Sequence, residues 1–189
     1  MERMAARLLR RVCQAPQELQ LQASGDIAQR DVRSLATAAT RGLLAARLDT
    51  GVNYVNAPAI AKERGIRIVE ARTPEGGDYV NAILVQVKTA SGTTTVEGAV
   101  FAAGMVRITR INGYKLEAEP NGHIIMCTNR DVPGVVGRIG TLLGESGINI
   151  GNIVLGRQRI GGMALSLIHV DDVIPETVIA KPRQLPEIV

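Results

Sequence analysis

Residues 129–150 read NRDVPGVVGRIGTLLGESGINI, and the reading of this stretch decides the fold. It follows the apolar run His123 to Cys127, so the local order is strand, sharp turn, helix. Pro133 fits a first helical turn, where the missing N–H is no loss. Val135, Ile139 and Leu142 recur at i, i+4 and i+7, with Val136 and Leu143 alongside, which gives one apolar face. Gly147 stands where a left-handed cap residue ends a helix. Ile148 to Leu155 then resumes with β-compatible residues.

Gly134, Gly137, Gly140 and Gly144 fall three or four apart along this helix. A helix-interior glycine costs about 1 kcal/mol relative to alanine. Such a side makes sense where a backbone packs closely or a small ligand approaches. At Gly134 the ligand reading is the better one. It lies beside Asp131 at a helix N-terminus, where free N–H groups and the helix dipole attract a carboxylate.

The run DVPGVVGRIGTLLG followed by GINI resembles the first loop and helix of an ACT domain. It is most similar to the one that closes bacterial D-3-phosphoglycerate dehydrogenases. The resemblance implies a ferredoxin-like βαββαβ fold that binds L-serine, the pathway's end product, between two such domains. The matching polar positions are Asn129 and Asp131 in the loop and Asn149 just after the helix, with Pro133 and Gly134 shaping the turn. The second asparagine is expected from the facing subunit. The chemistry suits that expectation: an amino acid needs an acceptor for its ammonium and donors for its carboxylate. Asp131, the helix N-terminus and the two asparagines are groups of those kinds.

A second phrase, VNYVNAPAIAKERGI from Val52 to Ile66, resembles the intervening, or allosteric substrate-binding, domain of long-form phosphoglycerate dehydrogenases. There Asn56 is expected to cap a helix from Ala57 to Arg64, ended by Gly65. The expected order continues with a strand at Ile66–Ala71 and a hairpin of Ala82–Lys88 with Thr93–Ala99. A strand at Val106–Ile111 follows, then an Asn112-Gly113 turn and a return strand at Lys115–Glu117. Before that phrase, Glu18 to Ala23 alternates as a strand, Ser24-Gly25-Asp26 is a turn, and Asp31 caps a helix bearing Val32, Leu35, Ala39 and Leu43.

The fold class expected is therefore α+β. An intervening αβ domain spans residues 1–118, a hinge spans 119–122, and an ACT domain spans 123–189. Met1 to Val12 reads as a helix that would bridge from an upstream catalytic part. A last helix of roughly three turns begins at Pro175. The fourth ACT strand should start near Ile188, where the chain stops, so that strand is expected to be cut short. In this family the fourth strand lies beside the first, and dimers pair through the opposite, second-strand edge.

Hydrophobic residues make up 46 % of the 189, so a buried core is expected rather than disorder. With a single Phe and no Trp, that core must be built from aliphatic side chains. Cys13 and Cys127 lie in different expected domains and lack metal spacing, which suggests reduced thiols and a cytoplasmic setting. No apolar run reaches membrane-spanning length. The net charge of +4 is discounted as a nucleic-acid signal, because stacking aromatics and binding motifs are lacking.

No GxGxxG follows a strand, so no nucleotide cofactor is expected in this chain; the NAD of the resembled enzymes belongs upstream. No catalytic residue and no metal site is assigned. His123 and His169 read as surface histidines at strand ends, and Asp171-Asp172 as an acidic turn. In relatives the intervening domain binds phosphate through basic residues near its last hairpin, and Arg107 matches one such position, while another is replaced by Glu119. Arg107 and Arg110, three apart, point to opposite faces of a regular strand, so Arg107 alone is the candidate anion ligand.

The function expected is a regulatory region that senses L-serine for an NAD-dependent D-3-phosphoglycerate dehydrogenase. It would be homo-oligomeric through both domains and joined to an upstream catalytic domain. Two alternatives stand beside it. One is a subunit of an L-serine dehydratase, whose PSSSHTAG phrase is absent. The other is a stand-alone amino-acid-binding ACT protein.

Overall fold

A computed structural model describes residues 15–48, 51–75, 77–182 and 185–189. The expected helix at Met1–Val12 lies outside them. Two compact units divide between Asn112 and Gly113.

The first unit is built on β1 (Pro16–Gly25), whose odd positions Leu19, Leu21 and Ala23 are almost completely buried. Strand alternation puts these three on one face and Glu18, Gln20 and Gln22 on the other. β2 (Arg67–Thr73) pairs parallel to β1, while β3 (Asn81–Thr89) pairs antiparallel on its other side. A parallel pair needs a long crossover, and α1 (Arg33–Ala45) and α2 (Ala57–Glu63) supply it. Leu19, Leu43 and Val87 form one apolar cluster, and Leu21, Ala23, Val32 and Ala36 another. Three alanines, Ala36 of α1 with Ala57 and Ala61 of α2, sit at or near full burial in place of aromatics, so the helices come close to the sheet. β4 (Gly92–Val100) and β5 (Val106–Ile111) continue the first unit's sheet in the order β2-β1-β3-β4-β5.

Several local expectations are corrected. Asp31 is not the cap of α1; that position belongs to Val32, and the Asp31 carboxylate accepts the Arg33 N–H at 3.0 Å from one residue earlier. The Arg33 guanidinium and that N–H together lower its pKa to about 2. Asn56 does stand at the N-cap of α2, yet its side chain turns backward. Its Oδ1 accepts the Asn53 N–H and its Nδ2 donates to the Gly51 carbonyl. Gly65, at φ 69°, ends α2 as expected. Its N–H bonds Lys62 O and the Ile66 N–H bonds Ala61 O, the paired closure of a Schellman motif. Asn112 and Gly113 both take positive φ, as the hairpin turn requires.

On the face of β1 away from the helices, Glu18 is 5 % exposed and lies between Arg67 of β2 and Lys88 of β3, its direct partners across the ladder. The Lys88 ammonium, 2.7 Å away, is the main cause that its carboxyl stays below the ordinary 4.5, and Arg67 adds to it against the cost of burial. A folded pKa below the unfolded one stabilises at pH above the ordinary value and ceases to do so as pH falls through the depressed one. Glu18→Gln is therefore expected to melt below the wild type at pH 7, with the gap closing at a pH low enough to protonate the depressed carboxyl. A gap of the same size at both pH values in thermal melts would show that charge is not its source.

The second unit carries β6 (Tyr114–Ala118), β7 (His123–Arg130), α3 (Val135–Glu145), β8 (Ile150–Arg157), β9 (Met163–Val170) and α4 (Glu176–Ala180). Its sheet order is β7-β9-β8, both pairs antiparallel. Near the last residue Ile188 makes an isolated antiparallel bridge to Asn129, so it lies beside β7. From β7 onward the element order is thus βαββα, with the Ile188 bridge on the β7 edge, consistent with the ferredoxin-like pattern. Val135, Ile139 and Leu143 turn inward onto Ile125, Ile168 and Val170. The buried face thus runs through Leu143, and Leu142 is only half-buried. Gly147, at φ 71°, closes α3, with the Ile148 N–H on Leu143 O.

Here too the structure differs from expectation. Pro133 precedes α3 rather than lying in its first turn, because Gly134 in the left-handed region takes the N-cap. α4 spans five residues, not three turns. Thr177, Val178 and Ile179 are β-branched and weak helix formers, and Pro182 cannot continue a helix. A Cβ on Gly137 or Gly144 would meet open space, and one on Gly140 an ordinary contact with Ile150 at 3.9 Å. No backbone therefore packs closely on that side of α3 within the described residues. The close approach occurs at Gly156, where a Cβ would lie 2.6 Å from the Lys115 carbonyl of β6.

Candidate functional site

β7 delivers the chain to one end of the second unit's sheet, and the loop 131–134 carries it into α3. Gly134, at φ 88° and ψ −13°, makes the turn in a conformation that a side chain disfavours. Asp131 anchors the loop to the β8–β9 hairpin. Its N–H donates to Gly162 O at 2.8 Å, and its Oδ2 accepts from Arg157 Nη1 at 3.0 Å and from the Gly161 N–H at 3.2 Å. The Arg157 hydrogen bond, then the Gly161 N–H, holds the Asp131 carboxyl below the usual carboxylate range. It is thus an ionised acceptor already oriented at the mouth of the loop.

Asn129 is not in the loop, as expected from sequence, but in β7, with 1 % of its surface exposed. Strand pairing continues one residue past it, to Arg130 opposite Met163. Its Oδ1 accepts from the buried Ser166 hydroxyl at 3.0 Å, and its Nδ2 donates to Arg130 O at 2.9 Å. In this geometry the amide braces the carbonyl that leads into the loop.

Asn149 lies elsewhere. It precedes Ile150, which pairs with Val170 opposite His123, and its Nδ2 donates to Asp171 Oδ2 at 2.6 Å. Asp131 follows Arg130 at the other end of the same ladder. Eight strand residues at about 3.4 Å each separate the two ends by roughly 25 Å. One chain therefore brings Asn129, Asp131, Pro133 and Gly134 together and leaves Asn149 far from them.

Four residues of this neighbourhood were not read from the sequence: Arg157, Ser166, Arg138 and Glu187. Ser166 had a signal, since it is the one hydroxyl in the apolar run MALSLI. Arg157 had half of one, standing between the β-compatible run that ends at Leu155 and the turn-forming Gly161-Gly162. Arg138 and Glu187, which pair at 2.6 Å, are 49 apart in sequence and had none.

Arg107 and Arg110 require a correction. The β4–β5 register slips between Glu97 and Gly98, leaving Thr109 as an extra residue. Arg107 pairs with Ala99 and Arg110 with Glu97, two positions on one face of β4, so both arginines lie on the same face. Arg110 is held at 2.9 Å by Asp78, with Glu97 at 3.9 Å. Arg107 donates to its neighbour's carbonyl, Val106 O, at 3.1 Å.

His169 is half-buried near the end of β9. Its Nε2 is buried without a hydrogen-bond partner, and burial lowers its pKa against the opposing pull of Glu119. Burial likewise raises the Cys127 pKa. Among the described residues no group of three His, Cys, Asp or Glu could hold a metal ion, and no helix is long and apolar enough to cross a membrane.

Two family profiles match. Residues 8–112 match the D-3-phosphoglycerate dehydrogenase intervening domain, and residues 123–187 match the ACT domain. Curated relatives of similar sequence are each called D-3-phosphoglycerate dehydrogenase. The protein from Synechocystis is 34 % identical over 83 % of this chain and 28 % of its own length. That from Bacillus subtilis is 34 % identical over 92 % and 33 %, and that from Methanocaldococcus jannaschii 36 % over 87 % and 31 %. The chain thus spans about a third or less of the length of these relatives.

Proposed function

This chain belongs to the family of D-3-phosphoglycerate dehydrogenase intervening domains, here followed by an ACT domain, and from that premise we propose that it is a regulatory region that binds L-serine. The catalytic domain of an NAD-dependent enzyme of serine biosynthesis would lie upstream, in the cytoplasm. Residues 119–122 serve as the hinge toward the ACT domain.

The observation that carries the reading is the separation of Asp131 from Asn149. β8 is an edge strand of its sheet. If two copies pair edge to edge about a two-fold axis, their β8 strands run antiparallel. The Ile150 end of one then meets the Arg157 end of the other, and Arg157 is bonded to Asp131. Each half of the site is completed by the other copy. Asp131 receives the ammonium, the N-terminus of α3 receives the carboxylate, and Asn149 of the second copy approaches the side-chain hydroxyl. L-serine that bridges the copies favours one dimer geometry, and only a difference in affinity between two geometries can pass this on to a catalytic part.

Mixing tests the shared site. Asp131→Ala and Asn149→Ala chains should each fail to bind L-serine in calorimetric titration. Unfolded and refolded together, they should regain part of the binding, because one site of each mixed dimer holds both native residues. No recovery, with mixed dimers present, would remove the two-copy site.

In the first unit, Arg107 is the proposed ligand of a phosphate-bearing anion. Sharing a face with Arg110 strengthens the local positive field, while Asp78 and Glu97 offset the Arg110 charge.

A further inference from the structure

Arg138, one turn into α3, reaches in two directions. Its Nη2 donates to Glu187 Oε1 at 2.6 Å, and its Nη1 lies 2.9 Å from where a Cβ on Gly134 would stand. The guanidinium therefore covers the backbone that opens the helix. Its anchor belongs to the segment 185–189, which is fastened along the outer edge of β7. The Arg130 N–H donates to Glu187 O and the Val189 N–H to Thr128 O, both at 2.9 Å, while Leu185 and Ile188 pack against the core. The Glu187 side chain is 20 % exposed, and its Oε2 is buried with no hydrogen-bond partner. A carboxylate with one oxygen so placed is incompletely satisfied, because ionised groups lose most when buried without donors.

We propose that Glu187 is an internal competitor for the effector's carboxylate. This inference rests on the effector reading above. In the free protein Arg138 is neutralised by Glu187 and held over the opening of α3. An amino-acid carboxylate arriving there takes the guanidinium, and Glu187 passes into water, where both its oxygens are solvated. The exchange leaves Arg138 with one carboxylate before and after, so the charge of the site balances. It also loosens the segment 185–189 from β7. Effector binding and release of this segment are thereby linked, and the linkage is reciprocal.

The test is titration of the 189-residue chain with L-serine, together with hydrogen exchange at the Arg130 amide, which bonds to Glu187 O. Glu187→Gln should bind L-serine about five- to tenfold more tightly than wild type, in the range typical of coupled sites. In Arg138→Gln the same second substitution should change nothing. In the wild type, saturating L-serine should speed exchange at Arg130; in Glu187→Gln that exchange should already be fast without ligand. A merely structural Glu187 would give equal or weaker binding on substitution, and that outcome overturns the competition alone. Absence of binding by every variant overturns the effector reading and the competition with it. Binding by Glu187→Gln but not by wild type is the strongest form of the expected result.

Discussion

Asp131→Ala is expected to weaken L-serine binding by about thirtyfold or more, the scale on which an oriented charge partner acts once its counterpart is desolvated. Two losses combine. The ligand's ammonium loses its acceptor, and Arg157 and the Gly161 N–H lose the oxygen that ties the β8–β9 hairpin to the loop. An unpaired Arg157 then stands where a cation must bind. Asp131→Asn separates the two effects, since it keeps an oxygen for the hairpin but not the charge. It should bind L-serine almost as poorly as alanine while unfolding near the wild-type temperature. If Asp131→Asn binds like wild type, the ammonium has another acceptor. The pH profile adds a check. The folded carboxyl lies below its ordinary value of 3.8, so its charge persists through the usual carboxylate range and is lost only as pH falls through the depressed value. L-serine affinity should therefore hold steady from pH 7 to pH 5 as far as this group is concerned.

Gly25→Ala is expected to destabilise the first unit by about 3 kcal/mol or more, and the cause is backbone, not side chain. Gly25 ends β1 at φ 80° and ψ −150°, a region open essentially to glycine alone. A Cβ there would lie 1.8 Å from the Val80 carbonyl oxygen, with the carbonyl carbon at 2.9 Å. Neither atom can step aside as a side chain would, because Asn81 pairs with Gly25 and its Oδ1 holds the Ile27 N–H at 2.8 Å. Gly65→Ala is the control. Gly65 also has positive φ, but a Cβ there meets nothing within 4 Å, so only the conformational penalty of roughly 1 kcal/mol applies. For a domain near one hundred residues, 1 kcal/mol moves Tm by roughly 4–8 °C. Gly25→Ala should therefore lower the first unit's melting by about 12 °C or more, and Gly65→Ala by about a third as much. Equal shifts for the two variants would mean that the clash is relieved by a local movement.

The strands and helices were legible where the periodicity was strong and a turn residue bounded it. Val106 to Ile111 is apolar enough to be seen as a strand, and Asn112-Gly113 marks its turn without ambiguity. Gly65 and Gly147 ended their helices where the chain alone placed them, because a left-handed cap is a local requirement. The helix after Pro175 was overread. Its apolar spacing continues, but β-branched residues and Pro182 leave it five residues long.

By itself the sequence determined two things: the strand, helix and strand order from His123 to Leu155, and the turn at Asp131, Pro133 and Gly134 that enters the helix. Both follow from short-range chemistry, the preference of each residue for its own backbone and its near neighbours. The tertiary structure alone decided what those residues touch. It put Asn129 inside the strand, joined Asp131 to Arg157 across a hairpin, and parted Asn149 from both. It also turned Arg107 and Arg110 to one face through a single extra residue in β5. Register, bulges and ion pairs between distant residues depend on which strands meet. One slipped residue inverts every side chain beyond it, and no local pattern records the slip.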